Sequence, residues 1–213
     1  MNAPISDLHK LEREAFRRYY EDGVFDIYLG LMLLVFSAAS VLWQTLESEL
    51  VSYVAMLGLA LAVTLPLLAY RRRLLRERLG TFQPGPQRKL RISRTRWVLL
   101  GSVVLGVVVF GAMALAVAGA SSLELLALVV PLLWLVNAVV VFGAMAYYLD
   151  VPRFYAYGIV AGLLMPLLIW PDALWGVELP AWLIFGSAGL AVVAYGAVTL
   201  RRFLRRYPAP QHG

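Results

Sequence analysis

The chain has 213 residues, 61% of them hydrophobic and only 15% charged, with a formal net charge of +6. An ordinary soluble domain is roughly half apolar and about a quarter charged, and even a well-packed one of ~150 residues buries only about 70% of what its unfolded chain exposes. So much apolar surface excludes a water-soluble fold and points to lipid as the solvent. Cysteine is absent, which excludes disulfides, thiolate metal sites and cysteine nucleophiles, and the only two histidines, His9 and His212, lie in terminal tails. An intramembrane zinc site or Ser-His dyad therefore lacks its imidazole.

In chain order, residues 1 to 22 come first. Ile5, Leu8, Leu11, Ala15, Phe16 and Tyr19 recur every three to four positions behind a capping Ser6, a spacing that predicts a short amphipathic helix lying on the inner membrane surface. No small-residue cleavage site follows a short apolar core, so no removable signal peptide is expected.

Crossing ~30 Å of hydrocarbon takes about 20 helical residues. Six long, nearly uncharged runs satisfy this, at about residues 24 to 45, 50 to 70, 97 to 119, 124 to 149, 154 to 170 and 181 to 201. The fifth is the shortest. Between the second and third, the basic stretch from Arg71 to Arg96 continues span two as RRRLLRERLG as far as Gly80, and Pro84, Gly85 and Pro86 then force a turn. The expected fold class is therefore all-α, a single transmembrane domain over residues 1 to 213, with a basic cytoplasmic loop at 71 to 96.

Orientation follows from the cationic side chains, which stay in the cytoplasm when they lie near span ends. All 19 basic residues fall on one face: the N-terminal segment, the 71 to 96 stretch, Arg153 between spans four and five, and Arg201 to Arg206 after span six. The three opposite connections carry only acids, namely Glu47 and Glu49, then Glu124, then Asp172 and Glu178. Both termini are thus expected in the cytoplasm. Trp43, Trp170, Trp175 and Trp182 at one boundary and Trp97, Tyr147, Tyr148, Tyr155 and Tyr207 at the other agree, since these residues favour the headgroup region. The stretch from Trp170 to Trp182 reads as an interfacial outer loop rather than a lid.

Few polar residues enter the spans. Asp22 and Asp26, one helical turn apart, stand where span one enters the bilayer beside Glu21. The structural reading is a cap or ion pair that docks span one against Arg153 or the arginine-rich stretch; the functional reading is a cation or substrate contact. Asn137 lies near the middle of span four, where an interhelical hydrogen bond is the commonest solution and a pore or ligand contact the alternative. Pro66, Pro131 and Pro166 introduce kinks. Gly158 and Gly162 form a GxxxG face in span five that permits close helix approach, to this chain or to a homo-oligomeric or membrane partner, and Gly58 with Ala62, and Gly186 with Gly189, lighten spans two and six. A faint similarity links Tyr19-Tyr20-Glu21-Asp22 before span one with Tyr147-Tyr148-Leu149-Asp150 before span five; topology alone accounts for it.

The common membrane-enzyme constellations are missing: there is no GxSxG, no GxxxxGK[ST], and no aspartate at a span centre. No catalytic residue, metal ligand or cofactor is expected. The basic face suits anionic lipid headgroups better than nucleic acid, because it adjoins span ends and lacks interleaved stacking aromatics.

DGVFDIYLGLMLL from Asp22 to Leu34, RLGTF from Arg78 to Phe82 and RFYAYG from Arg153 to Gly158 resemble elements of an uncharacterised group of bacterial six-span membrane proteins, although the proline expected before Arg78 is missing. The resemblance implies topology and a bacterial source, and no activity. The expectation is a non-enzymatic protein of the bacterial cytoplasmic membrane with a binding, sensing or accessory role. The alternatives are a small channel or transporter with a polar path near Asp26 and Asn137, and a lipid-processing enzyme with Asp22, Asp26 and Arg153 around a headgroup.

Overall fold

With no water in the hydrocarbon core, a spanning segment must satisfy its backbone internally, and long runs without strand-like alternation do so as helices. The computed structural model describes residues 20, 22–46, 48–79, 86–118 and 123–208, and among them no strand occurs. Six helices follow in order: α1 (Val24–Thr45), α2 (Glu49–Leu79), α3 (Pro86–Ala118), α4 (Leu123–Leu149), α5 (Arg153–Trp175) and α6 (Ala181–Arg206). Each is long and apolar enough to cross a membrane. Apart from Tyr20 and Asp22, the amphipathic segment expected before α1 lies outside the described residues, as do the turn residues Pro84 and Gly85.

Two boundaries differ from the sequence reading. Within the basic 71 to 96 stretch α2 runs on to Leu79, as its sequence predicts, but α3 begins already at Pro86 rather than near residue 97, a proline whose missing N–H costs nothing at a first helical position. At 33 residues, α3 is ~50 Å long, more than ~30 Å of hydrocarbon needs, and its surplus is the basic arm. The span expected to end at residue 170 continues to Trp175 through Pro171. Gly176 ends it in the left-handed conformation (φ 65°), its N–H donating to Asp172 O at 2.9 Å while Val177 N donates to Pro171 O at 3.1 Å. The first of these bonds is that of an αL cap, from the C′ N–H to the C3 carbonyl, and together they consume carbonyls the helix end leaves unpaired. The connection between α5 and α6 is therefore only residues 176 to 180.

The chain divides into two compact units, one containing α1, α2 and α6, the other α3, α4 and α5. In the first, α1 and α6 meet backbone to backbone. A Cβ on Gly30 would lie 2.6 Å from Val193 N, one on Gly189 2.9 Å from Gly30 O, and one on Gly196 2.7 Å from Ile27 N. Toward the other end of the pair, Ser37 Oγ donates to Trp182 O at 2.8 Å, and Phe36 and Phe185 pack at 5.9 Å between ring centroids. Helix α2 joins through Trp43 and Tyr53, edge to face at 5.5 Å, and through a core of Val24, Leu74, Leu75 and Phe203 at the opposite end.

In the second unit α4 and α5 form the tight pair. A Cβ on Gly158 would meet Phe142 Cβ at 3.0 Å, and one on Gly162 would meet Leu135 O at 3.3 Å. The close approach that the GxxxG face permits is thus made within the chain, by α4. Trp134 Nε1 spans the same pair, donating to Ala161 O at 2.8 Å. In the turn between α4 and α5, Asp150 adopts φ 57°, a left-handed conformation that aspartate tolerates better than most residues. Within their own units, α2 and α3 are the least buried helices.

Candidate functional site

The first turn of α1 begins at Gly23, whose φ of 72° only glycine takes freely. A Cβ there would also lie 2.6 Å from both Gly196 O and Leu200 N of α6, so the position has no room for a side chain. This close fit brings Asp22 into the seam, where it is fully buried. Its Oδ1 accepts from Val24 N at 3.1 Å, satisfying a donor that the helix start leaves orphaned, and its charge suits the positive end of the helix dipole. Its Oδ2 receives Arg71 Nε at 2.6 Å. The Arg71 guanidinium lies 5.5 Å from the ring centroid of Tyr20, within cation–π range. One carboxylate therefore caps α1 and ties it to α2.

Asp26 sits one turn further on, fully buried, against the surface that Gly196 clears: a Cβ on that glycine would touch Asp26 Cβ at 3.0 Å. Neither aspartate opens to solvent. The other two candidates belong to the second unit. Asn137 Nδ2 donates to Ser102 Oγ at 3.0 Å, joining α4 to α3. Arg153 opens α5, half-buried, with its guanidinium 6.0 Å from the Phe154 ring centroid. Among the described residues, no three His, Cys, Asp or Glu side chains gather where a metal ion could be held.

The sequence reading named Asp22 and Asn137 but missed Ser102 and Arg78, and it did not single out Arg71. Arg78 Nη1 donates to Leu204 O at 3.2 Å and to Tyr207 O, so a guanidinium from α2 closes the carbonyl end of α6, where positive charge is favourable. In the second unit Arg91 Nη1 reaches Asp150 Oδ2 at 3.4 Å. Asp22 and Asp150, which end the two similar tyrosine-led runs, thus each take an arginine from a third helix. Arg71 and Arg78 are seven apart, two helical turns, and so share the face that carries Leu74 and Leu75; that period was the available signal.

Among the described residues, six helices long and apolar enough to cross a membrane are consistent with a multi-pass integral membrane protein. No protein-family model, no curated protein and no solved structure matches the chain.

Proposed function

We propose that the chain is a non-enzymatic protein of the bacterial cytoplasmic membrane, with both termini in the cytoplasm, whose binding, sensing or accessory role is exercised through its basic cytoplasmic face. The observation that carries this reading is the use made of the polar groups nearest the spans. Asp22 is engaged by Val24 N and Arg71, Asn137 donates to Ser102, and Asp26 is shut from solvent. Groups committed to holding helices together are poor candidates for a transport path, which needs titratable or polar side chains facing a water-filled cavity. The arginine-rich ends of α2, α3 and α6 are left as the surface with chemistry to offer, and anionic lipid headgroups are its nearest partners.

The test is flux through sealed liposomes containing the purified protein. The reading predicts ion and solute leakage no faster than in protein-free vesicles, and no change in Asp26→Asn. Sustained flux that Asp26→Asn abolishes would establish a channel or carrier instead.

A further inference from the structure

Arginines are distributed unequally around the seam where α2 meets α6. On α2 the inward line is Leu67, Arg71, Leu74, Leu75 and Arg78; on α6 it is Leu200, Phe203 and Leu204, continued by Tyr207 just past the helix end. The two inward arginines are spent, one on Asp22 and one on the α6 carbonyls. Arg78 meets Leu204, and Leu74 and Leu75 pack with Phe203, so the two helix ends stand at the same level. The remaining arginines at that level, Arg72, Arg73 and Arg76 on α2 and Arg201, Arg202, Arg205 and Arg206 on α6, are all exposed. Glu77 is the one acid within residues 71 to 79 and 200 to 207. These arginines also sit where the apolar candidate spans of both helices end, at Arg76 and Arg206, and span ends are where headgroups meet a membrane helix.

We propose that the exposed arginines flanking the α2–α6 seam form a binding site for the phosphate of an anionic phospholipid headgroup. Guanidinium groups engage phosphate oxygens through paired N–H donors, which a lysine ammonium does not reproduce. The basic residues of this patch are all arginine. The two helices that present it are fixed to one another by Arg78 and the Leu74, Leu75 and Phe203 core, so little ordering is left to be done on binding. The acyl chains of the bound lipid lie along the exposed apolar flank of α2, where Leu61, Leu65 and Leu68 face outward. This site rests on the proposed basic cytoplasmic face and narrows it to one place.

Full-length protein in neutral detergent micelles is titrated with phosphatidylglycerol, phosphatidylcholine or inorganic phosphate, and retained ligand is counted by native mass spectrometry. One variant carries Arg76→Gln, Arg202→Gln and Arg205→Gln; a control removes equal charge from the α3 arm through Lys89→Gln, Arg94→Gln and Arg96→Gln. A hydrogen bond to a charged group is worth about 1.5 kcal/mol or more, so the seam variant, which loses donors to the bound phosphate, should lose phosphatidylglycerol affinity by at least about tenfold, while the control, which loses none, changes less than about threefold. Equal losses in both variants would overturn the local site and leave the general basic face standing. Equal retention of phosphatidylcholine and phosphatidylglycerol would overturn both. Displacement of phosphatidylglycerol by inorganic phosphate at matching concentration would reassign the arginines to a soluble phosphate ligand. Elution of each variant as a single symmetric species shows that Arg71 and Arg78, which are untouched, still hold the fold.

Discussion

Asp22 divides its two carboxylate oxygens between a backbone donor and a guanidinium, and the two partners carry different energetic weight. Removing one member of a buried ion pair strands the other charge and costs about 3 kcal/mol or more, whereas removing both costs much less. Arg71→Gln is therefore expected to destabilise the protein by about 3 kcal/mol, and the double variant Asp22→Asn/Arg71→Gln by less than the sum of the single changes, measured as a double-mutant cycle of unfolding in detergent. Additive losses would mean that the 2.6 Å contact carries no coupling. Glycines separate as sharply. Gly30→Ala drives a methyl to within 2.6 Å of the α6 backbone and should cost about 1 to 3 kcal/mol, while Gly58→Ala, with nothing within 4 Å, should stabilise α2 by roughly 0.5 to 1 kcal/mol. At this scale the sequence made Asp22, Asp26 and Asn137 conspicuous because charge and amide are rare in apolar runs. It hid their partners, because Arg71 is one of five arginines in nine residues and Ser102 is unremarkable in any helix.

Helices were easier to foresee than their pairing. The apolar runs gave α1 and α4 within a residue or two, since length and lack of charge suffice to mark a span. They ended α5 at residue 170; the helix continues through Pro171 to Trp175, and the operative stop is Gly176. Gly176→Val should cost on the order of 1 kcal/mol, or more, through its positive φ, and should loosen only the C-terminal end of α5, visible as faster amide exchange confined to the last turn. Asn137→Leu tests the α3–α4 contact. Interhelical hydrogen bonds of this kind average ~0.6 kcal/mol, so a shift in unfolding free energy below about 1.5 kcal/mol is expected. A larger loss would show that the Ser102 contact is one strand of a wider network.

For the whole molecule, hydrophobicity does not say which helices touch, because lipid tails are as apolar as leucine and close packing is decided by small residues. The pairing of α1 with α6, the first and last spans, was nonetheless written in two spacings: Gly23 with Gly30, and Gly189 with Gly196, each seven residues or two turns apart and so on one face. Gly158 and Gly162 were legible as a packing face, and their partner, α4, is the neighbour in sequence. The one-sided placement of the cationic residues remains the feature on which the proposed orientation, and hence the proposed role of the basic face, depends.

Because the chain contains no cysteine, single cysteines report sidedness without background. Ser48→Cys, Gln83→Cys and Glu178→Cys variants in intact bacterial cells, treated with a membrane-impermeant maleimide, address that orientation directly. The account predicts labelling at positions 48 and 178, with position 83 reacting only after the membrane is permeabilised. Labelling of position 83 in intact cells, with 48 and 178 protected, would place the arginine-rich ends outside and contradict it.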